Sequence, residues 1–363
     1  MRILFWQSVK SLVAAGLLGL AATTAQAYDQ QPTRLPSFDE VYNLNEQTLF
    51  RGQTCGAAAS CDSAGNCDGS ADCCDDDCDC IGNWRDNTYV WFGGEAYKSI
   101  GDTGLNFNPP PFALGSSFGV VSGFNTGFAI GDSRIRGQIG GSFGVYDFKG
   151  RTLAPKNDSL ENQSYMTAGI YKASDISNCE RISWGVVYDA FLGHQYGWAG
   201  NEIFVSQIRY MAGYALNECN EIGFWGTAQV HDDDDVDLTF PIAAPRNTVH
   251  AMNQLNTYFK HNWAFGGMST VYGGVFDKAD IASWQFGLLN LAPVNHNLSV
   301  YANFTYVVPS SATGIVGAAE EQWNVSAGLV YYFGGKAVAD TVSGHRGLPL
   351  LPVANNGNFL ITN

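Results

Sequence analysis

Between residues 84 and 335, the sequence repeats segments in which apolar residues alternate with small or polar ones. Near the end of this region, apolar and aromatic residues occupy every second position from Trp323 to Phe333, with Asn324 and Ser326 between them. A period of two places successive side chains on opposite faces of a β-strand. Each segment therefore predicts a strand with one apolar face.

The connections between these segments alternate in length, and this constrains the fold further. The predicted strands are 88–98, 117–130, 133–148, 163–173, 180–194, 203–216, 219–230, 247–260, 267–275, 282–290, 296–308 and 321–333. The connections 131–132, 174–179, 217–218, 261–266 and 290–295 are short, whereas 99–116, 149–162, 195–202, 231–246, 276–281 and 309–320 are generally longer. A soluble sandwich with Greek-key crossings has no reason to alternate in this way. The pattern predicts an all-β fold, a closed up-and-down antiparallel transmembrane β-barrel of about twelve strands.

The composition agrees with a barrel wall that faces lipid. Charged residues make up only 15%, and the chain contains 42 glycines and many aromatic residues. No later stretch approaches 18 continuous apolar residues, which argues against a helical membrane protein. In its hairpin rhythm and its strand-ending Tyr331-Tyr332-Phe333, the region 84–335 resembles porin-like outer-membrane proteins of Gram-negative type. The resemblance implies a bilayer environment, location in the outer membrane and recognition of the last strand by the insertion machinery, although about thirty residues follow that strand here.

The N-terminus has the order of a secretory signal peptide. Basic residues flank its start, residues 12–22 are almost wholly apolar, and small residues at positions 25 and 27 predict cleavage before Tyr28. The alternative is an uncleaved N-terminal anchor. The predicted organisation is a signal peptide over 1–27, an irregular Cys/Asp-rich periplasmic extension over 28–83, the barrel over 84–335 and a C-terminal tail over 336–363. Cleavage leaves about 17 basic against 34 acidic residues, so nucleic acid is excluded as a partner.

The inward faces of the strands supply candidate lumen-lining residues, which are Glu95, Arg134, Arg136, Arg181, Asp189, Arg209 and Glu221, together with Gln138, Gln207 and Gln285. Mixed charges inside a barrel can select small solutes by charge. Alternatively, they form salt bridges that fill a narrow barrel. Trp84, Trp184, Trp263, Trp284 and Trp323 are candidates for interfacial girdles, and Trp225 is out of phase with its strand and is expected to point inward.

The N-terminal extension carries most of the cysteines. The disulfide candidates are Cys55, Cys61, Cys67, Cys73, Cys74, Cys78, Cys80, Cys179 and Cys219. Disulfides are the default expectation in an oxidising compartment, and an odd thiol permits covalent cross-links to envelope neighbours. A calcium site at Asp68, Asp72 and Asp75 and a soft-metal thiolate site are the alternatives.

One dense acidic run, which includes Asp232, Asp233 and Asp234, lies in a predicted outward loop. It could bind Ca²⁺ or Mg²⁺, or it could be a solvated acidic loop. No cofactor is required by any pattern in the sequence. His296 and Ser299 come nearest to a nucleophile and base, but a spacing of three places them on opposite faces of a strand, so we expect no enzyme.

Two functions remain open. The first is a porin-like channel for passive diffusion of small solutes. The second is a non-conducting structural or adhesive barrel, whose outer loops bind partners and whose N-terminal cysteines cross-link the envelope.

Overall fold

The structure is a computed structural model of the chain. It describes residues 84–99, 117–131, 133–146, 160–196, 201–236, 247–277, 282–309, 322–339, 341–344 and 347–362. The strands are β1 (Thr88–Lys98), β2 (Ser117–Ala129), β3 (Arg136–Tyr146), β4 (Glu161–Lys172), β5 (Ile182–Tyr196), β6 (Asn201–Ala215), β7 (Asn220–His231), β8 (Asp233–Val236), β9 (Asn247–Ala251), β10 (Gln254–Asn262), β11 (Met268–Phe276), β12 (Ala282–Pro293), β13 (Leu298–Pro309), β14 (Gln322–Tyr332) and β15 (Ile361–Thr362). Short 3-10 helices occur at Trp84–Asn87 and Ile176–Asn178.

Twelve of these strands form a closed antiparallel barrel. Each strand pairs with its sequence neighbour, except that β7 pairs directly with β10, and β1 closes the barrel by pairing with β14 from Tyr89↔Tyr332 to Lys98↔Trp323. Closure gives every wall strand two hydrogen-bonded neighbours, so no backbone edge is left unpaired. The all-β class, the closure and the count of twelve predicted from the sequence are confirmed.

The two ends of the barrel differ in the length of their connections. The turns 130–135, 173–181, 216–219, 263–267 and 294–297 join strands at one end, which we call the short-turn end. The opposite end, which we call the long-loop end, carries 99–116, 147–160, 197–200, 232–253, 277–281 and 310–321. The alternation is therefore present, although 197–200 and 277–281 are as short as the turns opposite. No helix in the described part of the chain is long and apolar enough to cross a membrane.

The predicted strand 247–260 was wrong as a single barrel strand, because the chain breaks at Met252 and Asn253. The side chain of Asn253 accepts a hydrogen bond from the Gln229 backbone N–H at 2.6 Å and donates one to Asp277 at 2.6 Å, so it ties two neighbouring segments together. As a result, β10 enters the barrel while β9 pairs with β8 and β15 in a separate three-stranded sheet. Part of the acidic run predicted as a loop is thus a strand.

The barrel wall is apolar outside, and its polar side chains lie inside together with buried aromatic and aliphatic ones. In β14, Val325, Leu329 and Tyr331 are nearly half exposed, whereas Asn324 and Ser326 on either side of Val325 are buried. The same inversion recurs around the wall, where Phe92 is 60% exposed and Glu95 on the same strand is 2% exposed. Because soluble proteins direct the apolar face inward, this arrangement identifies the outer surface as the one that avoids water.

Inward-facing tyrosines lie flat against the wall over glycines. The ring of Tyr301 crosses Gly328 and Gly93, and a side-chain carbon at either glycine would overlap it. Tyr272 covers Gly287 in the same way. These glycines are required because a larger residue would push the aromatic ring into the lumen.

The C-terminal tail, described at 333–339, 341–344 and 347–362, passes through the lumen. At the short-turn end, the backbone N–H groups of Ala337 and Ala339 donate to the carbonyls of His296 and Gly266. At the other end, Ile361 pairs with Ala251 at the mouth of the barrel. The tail therefore enters at the short-turn end and leaves at the long-loop end, and it forms the centre of the molecule's core.

Candidate functional site in the barrel lumen

The first element of the site is a buried ion pair on the inner wall. Arg209 on β6 donates from Nε to Oδ2 of Asp189 on β5 at 2.9 Å and from Nη2 to Oδ1 at 3.1 Å. Thr167 and Gln207 donate to the same carboxylate at 2.6 and 3.2 Å. Both charged side chains are almost fully buried. Since two-point contact and additional donors satisfy the carboxylate, the pair can persist away from water.

This wall holds two successive carbonyl groups of the tail. The Leu351 carbonyl accepts hydrogen bonds from Asn125 and Gln138, each at 3.0 Å. The next carbonyl, that of Pro352, accepts one from Arg209 Nη2 at 2.7 Å. The three donors come from β2, β3 and β6, so the tail is held from separate directions at one level of the barrel. We call these three side chains the carbonyl clamp.

A second buried ion pair holds the part of the tail nearer the short-turn end. Glu221 on β7 accepts from Lys260 Nζ at 3.0 Å and from the Tyr258 hydroxyl at 2.7 Å. Its other oxygen accepts from Ser343 of the tail at 3.0 Å and from Ser183 at 3.2 Å. Glu221 thus links two wall strands to the tail.

Near the long-loop end, the tail is held by amides and aromatic rings. The Asn358 carbonyl accepts from Gln254 at 3.1 Å and from Gln207 at 3.4 Å. The Phe359 ring lies 5.9 Å from the rings of both Tyr165 and Phe191, measured between centroids. These contacts belong to an apolar cluster that joins the tail to the small sheet.

Two more carboxylates are buried between β1 and β4. Glu161 accepts from the Tyr97 hydroxyl at 2.5 Å and from Gln163 at 2.7 Å. Glu95 accepts from Asn324 at 2.5 Å and from the hydroxyl of Tyr146. Each carboxylate therefore accepts hydrogen bonds from a tyrosine and from an amide side chain.

A cavity of about 320 Å³ remains beside the tail. The tail lines one side of it with residues 348–355, 357 and 358, and residues of β1–β3, β6, β7 and β10–β14 line most of the rest. Most of its lining is aromatic or aliphatic, and Trp225, Tyr272, Tyr301 and Leu291 are among the lining residues. Trp225 packs against Tyr272 with 5.4 Å between ring centroids, so this tryptophan faces inward.

Most of the predicted lumen-lining residues lie in the barrel interior, and two lie in the short turns. Glu95, Asp189, Arg209 and Glu221 are buried in the interior. Arg136, the first residue of β3, lies on the same strand face as buried Gln138. Gln207 and Gln285 are also buried.

Arg134 and Arg181 lie in the short turns instead, because β3 and β5 begin later than predicted. Arg181 donates to the Ala215 and Leu216 carbonyls at 3.2 and 2.9 Å. Arg134 contacts Glu180 at 2.8 Å, and Lys172 contacts the other oxygen of Glu180 at 3.0 Å. Partial burial by itself raises the pKa of Glu180, but these two basic side chains outweigh burial and lower that pKa below its usual value.

The acidic run uses its carboxylates in local contacts. Asp233 accepts from the Phe204 backbone N–H at 2.8 Å, Asp234 accepts from the Thr248 hydroxyl at 2.7 Å, and Asp232 is exposed. The described residues contain no group of three or more His, Cys, Asp or Glu side chains placed to share a metal ion. Asp68, Asp72 and Asp75 lie outside the described residues.

Only two of the nine cysteines are described. Cys179 ends the 3-10 helix at 176–178 with a φ of 58°, and Cys219 is buried in the turn 216–219. Both are at the short-turn end. The seven cysteines from Cys55 to Cys80 lie outside the described residues, so the disulfide assignment stays a prediction.

Sequence reasoning missed the tail as part of the lumen. The composition of the tail could have indicated that it is buried. Residues 347–363 contain no charged residue and include an apolar run from Leu348 to Val353 that two prolines interrupt. Proline prevents regular strand pairing, so a period-two search does not detect such a segment.

The fold and its occupied lumen define a class, a closed twelve-strand barrel with an apolar outer wall and an internal tail. The chain belongs to the family described as "Family of unknown function (DUF6666)", which it matches over residues 87–361. The matched range includes the tail up to Ile361. No curated protein matches this chain.

Solved structures with a similar fold include an outer-membrane channel of the COG4313 group from Pseudomonas putida F1, with a TM-score of 0.42 and 9% identity over 68% of this chain and 95% of that one. A KdgM porin has a TM-score of 0.37 and 7% identity over 67% of this chain and 98% of that one. The outer-membrane phospholipase A of Escherichia coli has a TM-score of 0.37 and 9% identity over 67% and 95%. These similarities are too weak to support an inference about function.

Proposed function

We propose that this protein is a porin-like barrel of the outer membrane that is closed at rest by its own C-terminal tail. In this proposal, small solutes diffuse passively through it only when the tail leaves the lumen. The observation that carries the proposal is the carbonyl clamp, in which Asn125, Gln138 and Arg209 hold two consecutive tail carbonyls from three wall strands.

The apolar outer wall supports the membrane location. Trp323 and Tyr331, at opposite ends of the outward face of β14, are eight positions apart, which is about 27 Å along a strand. After strand tilt, this length suits the apolar band of an outer-membrane barrel, roughly 25 Å tall. Trp284 is exposed near the long-loop end, and Trp84 and Trp263 are exposed near the short-turn end, as expected for two aromatic girdles.

The filled lumen supports a closed resting state. A twelve-strand barrel has an interior between the side-chain-filled eight-strand barrels and the open sixteen-strand porins. Here, the tail occupies the centre of that interior and contacts the wall at both ends and at the clamp. The tail also lines the cavity beside it, and in this proposal a solute passes only after it displaces the tail.

Single-channel recording in planar bilayers tests this proposal. We expect the full-length protein to stay closed, and a variant lacking residues 347–363 to give steady conductance steps. A peptide with the sequence of residues 347–363 should block these steps, whereas a peptide of the same composition in scrambled order should not. Heat-modifiable mobility on a detergent gel verifies that the truncated barrel has folded. Steady steps of equal size from the full-length protein would refute closure by the tail.

The second candidate is the non-conducting structural barrel. It is favoured by the apolar clusters that fix the tail along its path, such as those around Phe359 and around Leu351. A folded truncated barrel without conductance would support it. Under either function we propose no enzymatic activity.

Export and topology complete the proposal. N-terminal sequencing of the mature protein should begin at Tyr28 if residues 1–27 are a signal peptide. Protease treatment of whole cells should cut near Asp232 and spare the Cys55–Cys80 segment, since we place the long-loop end outside. Non-reducing gels of envelope fractions then test whether these cysteines form disulfides within the chain or cross-links to neighbours.

A further inference from the structure

We propose that the cavity beside the tail is a binding site for a small organic amine, with Glu95 receiving the ammonium group and the aromatic wall receiving the apolar part. This inference does not depend on whether the barrel conducts. It rests on the charge, the hydrogen bonding and the lining of the cavity.

Glu95 is the one carboxylate among the described residues that line the cavity. Arg209 is paired with Asp189, Lys260 with Glu221, and Lys336 donates to Asn87 at 2.7 Å. Glu95 is 2% exposed, lines the cavity and accepts hydrogen bonds from Tyr146 and Asn324, yet no ion pair joins it to a basic residue of the described chain. No cation of the described chain compensates the charge of this buried carboxylate, and the ammonium group of a ligand can supply that compensation.

An amide oxygen beside Glu95 also lacks a partner among the described residues. Asn324 donates from Nδ2 to Glu95, and its buried Oδ1 accepts no hydrogen bond from the described part of the chain. Leaving such a buried acceptor unsatisfied is unfavourable. An ammonium group carries several N–H donors, so one ligand can bond both the carboxylate and this oxygen. That need for donors favours a primary or secondary amine over a quaternary ammonium ion.

The remaining lining suits the apolar part of such a ligand. Tyr301 packs over Gly328 with its hydroxyl over Gly93, the next inward position to Glu95 on β1. Tyr272, Trp225 and Leu291 extend this surface away from Glu95. A volume of about 320 Å³ with mostly apolar walls and a few convergent polar groups is typical of a small-molecule site. Aromatic faces also attract ammonium groups.

The test uses the full-length protein in detergent and isothermal titration calorimetry. The probes are 2-phenylethylammonium and 2-phenylethanol, which is neutral and of nearly the same shape. We expect the amine to bind at least about tenfold more tightly, since a hydrogen bond to a charged group contributes about 1.5–3 kcal/mol. Equal affinities of the wild-type protein for the amine and the alcohol would overturn the proposal. So would the absence of amine binding at millimolar concentration.

Two matched variants locate the binding charge. E95Q keeps the size of the side chain and removes its charge, so it should weaken binding of the amine at least about tenfold and leave the alcohol unchanged. E161Q removes another buried carboxylate that is also held by a tyrosine and an amide but does not line the cavity, and it should stay within about twofold of wild type. Similar losses in both variants would mean that Glu95 has no specific role, and the proposal would fail.

Discussion

Removal of the Arg209 guanidinium tests the energetics of the lumen most directly. In R209M, the Asp189 carboxylate would remain fully buried and keep only two neutral donors, Thr167 and Gln207. Breaking a buried ion pair by deleting one partner costs about 3–5 kcal/mol, mostly because the other charge is left uncompensated. The Pro352 carbonyl would also lose its charged donor. We therefore expect the free energy of unfolding to fall by about 4 kcal/mol.

The assay is urea unfolding of the barrel in detergent, followed by tryptophan fluorescence. D189N in the R209M background removes the orphaned charge, so the double variant should recover most of the loss. R134M provides the control, since the ion pair between Arg134 and Glu180 is solvent-exposed and its loss should cost less than about 1 kcal/mol. A loss below 1 kcal/mol in R209M, or no recovery in the double variant, would refute the reasoning.

Three further variants test the tail and the wall. The double variant N125A/Q138A removes two clamp donors but no charge, so channel openings should become more frequent in bilayer recordings while heat-modifiable mobility persists. F359A should destabilise the end of the tail by about 3 kcal/mol through loss of packing, and limited proteolysis should cut the tail faster than in wild type. G287V should push the Tyr272 ring into the cavity and reduce its volume, which a lower affinity for the amine probe would reveal; unchanged affinity would contradict the flat packing of that ring.

The barrel wall was predictable because alternate side chains of its strands lie in different environments, which produces a period of two in the sequence. Val325 and Asn324 are adjacent in sequence but face the outside of the barrel and the lumen, and this contrast recurs around the wall. Pairing between β1 and β14 also follows from physics, since an open edge would leave backbone groups without partners. The sequence therefore contained enough information for the fold class and the number of strands.

The strand boundaries and the lumen were less predictable, for identifiable reasons. The break at Asn253 depends on contacts with Gln229 and Asp277, which are distant enough in sequence that no local pattern reports them. Arg134 shows a similar limit, because a shift of a few residues at the start of β3 moves it from the wall to a turn. Wall side chains hold much of the tail by hydrogen bonds to its backbone carbonyl groups. Every residue type has such a carbonyl, so the tail sequence does not indicate these contacts.

The path of the tail has a consequence for the order of assembly. The tail follows β14 along the chain, yet it lies inside the ring that β14 completes by pairing with β1. Either the ring closes around a tail that is already inside, or the tail threads through a finished ring. A compact domain fused after residue 363 is wider than the remaining space and cannot thread, so folding of such a fusion in vitro distinguishes the two routes. Native-like heat-modifiable mobility with the tail in place would show that closure of the β1–β14 seam is the last step.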